Sequence, residues 1–251
     1  MKHKLIIGNW KTNPMTLDEA KRILRSIRRI VPTLKSTDVV VCPPSIYIPA
    51  ALSSRKSEIA VGSQNVFFEN QGSFTGEIGP FMLKNMGVEY VIVGHSERRK
   101  MGETDEIVSR KIRSLLEAEI RPILCVGEAE HDHGGLYLDI LKAQIKNSLA
   151  KVQKKYAKNI IIAYEPIWAI GAKESMDPKI IHEMSIFIKK VLSDMFGHDE
   201  ALSTPILYGG SVNFRNANDI ISLGKVDGLL VGRESVNAPG FVELLKAVDT
   251  I

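Results

Sequence analysis

Glu165 closes an apolar run, Ile160-Ile161-Ile162-Ala163-Tyr164, and is followed directly by Pro166, Ile167 and Trp168. A carboxylate at the buried end of such a run, covered by Ile167, Trp168, Ala169 and Ile170, is stripped of water, which strengthens it as a general base. A loop this apolar would exclude water while the base works, with Pro166 and Gly171 bounding the moving segment. The plain alternative is a strand-end acid paired with lysine or arginine.

Other runs end in groups of complementary chemistry. Asn9 and Lys11 follow the first run, Gln64 and Asn65 the third, and His95, Glu97 and Arg98 the fourth. Glu128 follows the fifth, Gly209, Gly210 and Ser211 the seventh, and Gly232 and Arg233 the eighth. His95 opens a helical stretch, "SERRKMGETDEI", whose positive end disfavours protonation. A neutral imidazole placed there can donate a hydrogen bond to a carbonyl oxygen and polarise it. Lys11 is in place to hold an anionic group or a developing enolate. The glycine turns let backbone N–H groups approach a phosphate closely. This set suits proton transfer on a small substrate with an anionic handle.

The elements that must position these groups alternate along the whole chain. Short β-branched runs occur at Lys4 to Gly8, Asp38 to Cys42, Ile59 to Ser63, Tyr90 to Gly94, Pro122 to Val126, Ile160 to Tyr164, Pro205 to Tyr208 and Gly228 to Val231. Most lack polar alternation, as expected of parallel strands covered on both faces. Amphipathic stretches lie between them. Thr16 opens one with a capping-box pattern, although Asp18 competes as the start, and Asp177-Pro178 opens another. No linker or low-complexity stretch divides the chain, so residues 1–251 read as one domain. Eight βα units in 251 residues match the roughly 250 of a closed (β/α)8 barrel: eight parallel strands surrounded by helices, with the site at the strands' carboxyl ends. An open doubly wound sheet competes less well, because no GxGxxG follows the first strand.

Composition excludes other classes. The basic residues that give a net charge of +4 are spread along the chain, which argues against a nucleic-acid footprint. No apolar stretch reaches the ~18 residues of a membrane span, and the N-terminus is too short in apolar core for a signal peptide. Cys42 and Cys125 each end an apolar run and read as reduced core residues, consistent with a cytoplasmic protein. "HDHGG" (His131 to Gly135) has the look of a metal site but lacks an evident third ligand, so no metal is expected. The long third loop, "QNVFFENQGSFTGEIGP", carries Phe67, Phe68 and Phe74, and its apolar content suggests burial against another subunit.

The segments "GNWKTN", "CPP", "GSQN", "GSFTGEI", "VIVGHSERR", "GETDE", "CVGE", "AYEPIWAIG" and "YGGSV" occur in this order over essentially the whole chain. In them the sequence resembles the triosephosphate isomerase family. The resemblance implies a TIM barrel that interconverts dihydroxyacetone phosphate and D-glyceraldehyde 3-phosphate without a metal or organic cofactor. The family is the known case of a glutamate base, a neutral histidine and a closing loop, so the roles that follow come with the resemblance. Glu165 would move protons between adjacent carbons, and His95 would polarise the carbonyl. Lys11 and Asn9 would stabilise developing negative charge, with Glu97 ordering Lys11. Gly171, Ser211, Gly232 and the N–H of Arg233 would hold the phosphate. The lid would run through Pro166, Ile167, Trp168, Ala169, Ile170, Gly171, Ala172, Lys173, Glu174, Ser175 and Met176. The family is dimeric, with Thr75, beside Gly76, reaching into a neighbour's site and with Gln64 and Asn65 at the same interface. Two departures stand out. Ala172-Lys173-Glu174 replaces the usual Thr-Gly-Lys, and Arg233 replaces a common glycine, its cation placed either near the phosphate or away from it. Competing readings are a barrel isomerase of another phosphorylated sugar and a phosphate-binding barrel that has lost catalysis.

Overall fold

The computed structural model describes residues 3–53, 58–132, 134–169 and 175–250. Within them the eight expected strands form: β1 (Lys4–Asn9), β2 (Thr37–Cys42), β3 (Ala60–Ser63), β4 (Tyr90–Val93), β5 (Arg121–Val126), β6 (Ile161–Tyr164), β7 (Ile206–Tyr208) and β8 (Gly228–Val231). Each pairs with the next in parallel, and β1 pairs with β8, closing a barrel. The strands are buried on both faces, which is why their sequences run apolar without alternation. Alternate residues, including Ile7, Val40, Ile92, Ile123, Ile161 and Leu230, fill the barrel interior. Their neighbours, such as Ile6, Val39, Val91 and Ile162, pack outward against the helices. Burying each such side chain contributes roughly 1.5–3 kcal/mol.

The surrounding helices are α1 (Leu17–Ile30), α2 (Ile48–Leu52), α3 (Pro80–Met86), α4 (Ser96–Lys100), α5 (Asp105–Glu117), α6 (Leu136–Leu149), α7 (Pro178–Phe196), α8 (His198–Ser203), α9 (Ala217–Gly224) and α10 (Ala238–Asp249). In α1 the buried positions Ala20, Ile23, Leu24 and Ile27 fall on one face at helical spacing. Thr16, not Asp18, caps it, accepting from the Glu19 N–H at 3.3 Å. Asp177 caps α7 by accepting from the Lys179 N–H at 2.9 Å, with Pro178 in the first turn. Among the described residues no helix is long and apolar enough to cross a membrane.

The third loop, residues 64–79, has no helix or strand of its own. Its phenylalanines make contacts within the chain. Phe67 stacks on Phe68 with ring centroids 4.3 Å apart and meets Phe74 at 4.6 Å. The Arg110 guanidinium lies 3.5 Å from the Phe68 ring centroid. Phe67 and Phe68 are therefore packed within the chain, and of the three only Phe74 is exposed.

One polar clamp ties the last helix to the start of β2. The Asp249 carboxylate accepts from the Lys35 N–H at 3.0 Å and from the Ser36 N–H at 2.8 Å. Burial opposes the charge, but these backbone bonds prevail and hold the carboxyl below its ordinary range. A depressed carboxyl contributes stability above its unfolded-state pKa, and that stability is lost as pH falls through its folded value. Asp249→Ala is expected to cost about 1 kcal/mol at neutral pH and to lower Tm by about 2–4 °C. The difference from wild type should shrink in acid, as thermal melts across pH would show.

Candidate active site

The carboxyl ends of the strands bring the sequence-singled residues to one mouth. Glu165 follows β6, and its backbone N–H still pairs with the Val126 carbonyl at 2.8 Å. The residue is 3% exposed. Oε1 lies 3.2 Å from His95 Nε2, and Oε2 accepts from the Ser96 N–H at 3.4 Å. Gly209 lies against its methylene chain, where an added Cβ would fall 2.8 Å from Glu165 Cγ. The expectation that Trp168 covers Glu165 needs correction. Trp168 is 44% exposed and donates its indole N–H to Glu128 Oε1 at 2.9 Å. The end of the barrel buries the base, with His95, Ser96 and Gly209 as its walls; Ile170 lies outside the described residues.

His95 sits between β4 and α4. The Glu97 N–H donates to Nδ1 at 3.1 Å, which assigns the proton to Nε2, facing Glu165. The helix start thus acts on His95 through a direct hydrogen bond. Burial disfavours a charged imidazole, yet the charge and hydrogen bond of Glu165 prevail and hold the His95 pKa above its ordinary value. Lys11 acts in the lowering direction and Glu97 in the raising one.

Lys11 has φ of 52°, in the left-handed region that non-glycine residues rarely occupy, at a cost of about 1–3 kcal/mol. Its backbone is held from both sides. The Lys11 N–H donates to Asn9 Oδ1 at 3.1 Å, and the Gln64 amide donates to the Lys11 carbonyl at 2.9 Å and the Cys42 carbonyl at 2.8 Å. The ammonium meets Glu97 Oε1 at 2.6 Å. Burial would raise the Glu97 pKa, but the bond to Lys11 prevails and lowers it. Gln64, placed by the resemblance at a subunit interface, here ties the first loop to the end of β2 within its own chain. Asn65 is likewise anchored inside, accepting from Lys111 Nζ at 2.7 Å.

Asn9, Lys11, His95, Glu165, Ser211, Gly232 and Arg233 line one cavity of about 530 Å³. Ser211 lies in a turn shaped by Asn216, whose amide donates to the Ser211 carbonyl at 3.1 Å. Gly232 precedes a short helical turn over Arg233–Val236. The Arg233 side chain is exposed and makes no hydrogen bond or ion pair among the described residues. Gly171, with Ala172, Lys173 and Glu174, lies outside the described residues. Both described arms of the apolar loop are anchored: Trp168 on Glu128, and Met176, whose N–H donates to the Tyr208 hydroxyl at 3.1 Å. Ser175 is half-buried beside it. Gly210 is required here, because its Cβ would lie 2.2 Å from that hydroxyl. Burial pushes the Tyr208 pKa up to about 12, so the hydroxyl stays protonated. Sequence reasoning missed Tyr164 and Tyr208 as anchors, since a tyrosine ending a buried strand reads as core.

Among the described residues no group of three or more His, Cys, Asp or Glu could hold a metal ion. His131 is an exposed residue whose ring lies against its neighbours, and His133 lies outside the described residues. Cys42 and Cys125 are free and buried.

Fold and site together define a (β/α)8-barrel protein equipped for acid–base chemistry on a small anionic substrate. The model of the family described as triosephosphate isomerase matches residues 4–248, and the chain belongs to that family. A triosephosphate isomerase of Dehalococcoides mccartyi is 40% identical, the match covering 100% of this chain and 98% of the relative. One of Fusobacterium nucleatum is 39% identical over 98% of this chain and 99% of its own length. One of Clostridium botulinum is 40% identical over the same shares.

Gly209→Ala tests how tightly the carboxylate is placed. A displacement on the order of 1 Å is expected to lower kcat by about 100-fold. Steady-state kinetics with an unchanged kcat would show that Glu165 has room to adjust.

Proposed function

We propose that this chain interconverts dihydroxyacetone phosphate and D-glyceraldehyde 3-phosphate through an enediolate, serving glycolysis and gluconeogenesis. The observation that carries this reading is the buried Glu165 carboxylate 3.2 Å from His95 Nε2, in a cavity that Lys11 shares. Glu165 takes the proton from the carbon beside the carbonyl and returns it to the neighbouring carbon. The His95 Nε2–H and the Lys11 ammonium hold the oxygen on which negative charge develops, and Asn9 adds its amide. Nε2 then passes protons between the two enediolate oxygens.

The charge state of His95 follows from this sequence. Its pKa is raised by the very carboxylate that acts as base. Once Glu165 has taken the substrate proton, that cause disappears, and burial and Lys11 act against Glu97 alone. In this reading His95 is neutral when its Nε2–H must donate. This agrees with the neutral histidine known for the family.

Ser211, Gly232 and the N–H of Arg233 form the phosphate end, with Gly171 supplied by the lid of Pro166 to Met176. The Arg233 side chain plays no part in this reading. Convergence of Asn9, Lys11, His95, Glu97 and Glu165 disfavours a barrel that has lost catalysis, and nothing favours another sugar phosphate.

A homodimer fits the same surface. Phe74, Thr75 and Gly76 are exposed at the third loop, and Met15, Ile46 and Met101 are exposed on other loops and turns. A second cavity of about 380 Å³, lined by Gln64, Asn65, Gly76, Glu97 and Met101, adjoins Asn9 and Lys11. This is where a neighbour's third loop would reach the site. A sedimentation mass of a single 27.8 kDa chain would contradict the dimer. Recovery in the cytoplasmic fraction of a lysate tests the proposed location.

A coupled assay with glyceraldehyde 3-phosphate is expected to give kcat/KM close to ~10⁸ M⁻¹s⁻¹. Glu165→Asp, which shortens the reach of the base, should lower kcat strongly with a smaller change in KM. Unchanged turnover in that variant would sink the base assignment.

A further inference from the structure

The stretch that begins "HDHGG" has a definite place beside the lid. The His131 ring lies on Tyr137 of α6, with centroids 3.9 Å apart and planes 31° apart. The same ring meets Trp168 edge-on at 6.0 Å and 68°. Its Nδ1 is 3.8 Å from Glu128 Oε1, just beyond hydrogen-bond reach. That oxygen already accepts from the Tyr164 hydroxyl and the Trp168 indole, each at 2.9 Å. Glu128 is fully buried, and its Oε2 has no hydrogen-bond partner among the described residues. His131 therefore adjoins both members of the bond that fixes the lid's first arm.

We propose that His131 is a positioning residue for the lid, its charge state setting how firmly Glu128 holds Trp168. This rests on reading residues 166–176 as a lid. A neutral imidazole leaves both lone pairs of Oε1 to their present donors. An imidazolium brings a third donor and a full positive charge to a buried carboxylate, where charges interact strongly. If it bonds Oε1, one donor must yield. Tyr164 is locked in β6 at 1% exposure, so the half-exposed Trp168 is the one displaced. If it draws Oε2 instead, the carboxylate turns and Oε1 leaves the indole. Either way protonation loosens the latch.

The charged and titratable neighbours bear on His131 as follows. Glu128 follows β5, and Glu130 and Asp132 flank His131 in the chain. Asp132 is engaged by the N–H groups of Leu136 at 3.2 Å and Tyr137 at 2.9 Å. Tyr137 comes from α6 and Tyr164 from β6, and Glu183 of α7 acts electrostatically on Tyr137. The carboxylate that faces the ring across a short gap is Glu128.

The indole ¹⁵N–¹H resonance of Trp168 reads the strength of this bond, and Trp168→Phe assigns it against Trp10. In the unliganded full chain the resonance is expected to move with pH in a single step, as His131 gains its proton. His95→Gln should leave that titration in place. His131→Gln and His131→Phe should abolish it, the second while keeping a ring on Tyr137. Below the midpoint, KM of the wild type should exceed that of His131→Phe several-fold, and above it the two should agree. A resonance that does not titrate, a titration that survives in both His131 variants, or a KM ratio equal at every pH would overturn the proposal. The resonance is read without substrate, so a chain lacking isomerase activity would overturn the functional reading and leave this result standing.

Discussion

Everything at the mouth of the barrel depends on one contact in a dry place, Glu165 against His95. Two ionisable groups 3.2 Å apart, both nearly inaccessible to water, interact far more strongly than they would at a surface. The closed ring of parallel strands makes this possible. It delivers Glu165 from β6 and His95 from β4 to the same point, with β5 between them. The close approach of Gly209 then leaves the carboxylate little space to move. The barrel supplies rigidity, and the chemistry lies in which groups it leaves without water.

Lys11 shows the cost of that placement. Its backbone is held in a conformation that a non-glycine residue avoids, and the chain answers with two side-chain clamps, Asn9 and Gln64. The outcome is an ammonium that reaches the cavity while Glu97 restrains it from one side. Strain at this residue and order in the loops around it are two aspects of one arrangement.

The fold was legible because parallel strands covered on both faces leave unbroken apolar runs, as in "VVVC" and "IIAY", and helix starts carry caps such as Thr16 and Asp177. The polar mouth was legible because charged groups directly after such runs must face a shared space. Contacts between side chains distant in sequence were not. Nothing in the sequence marks Gln64 as a clamp on the Lys11 carbonyl, or joins Trp168 to Glu128 forty residues earlier. The stacking of Phe67 on Phe68 was not legible either, because an irregular loop that folds upon itself has no periodicity to announce its packing. The apolar lid suggested a cover for Glu165, whereas the structure turns its tryptophan to a different carboxylate.

The central claim is that a solvent-exchangeable carboxyl proton on Glu165 passes between two substrate carbons. The most direct measurement is isomerisation of glyceraldehyde 3-phosphate in D₂O, with the product's carbon-bound hydrogens read by NMR. Deuterium should enter the product at the carbon that receives the proton, in a measurable fraction of turnovers. Complete retention of the original hydrogen, turnover after turnover, would mean a direct shift between carbons and would contradict the account.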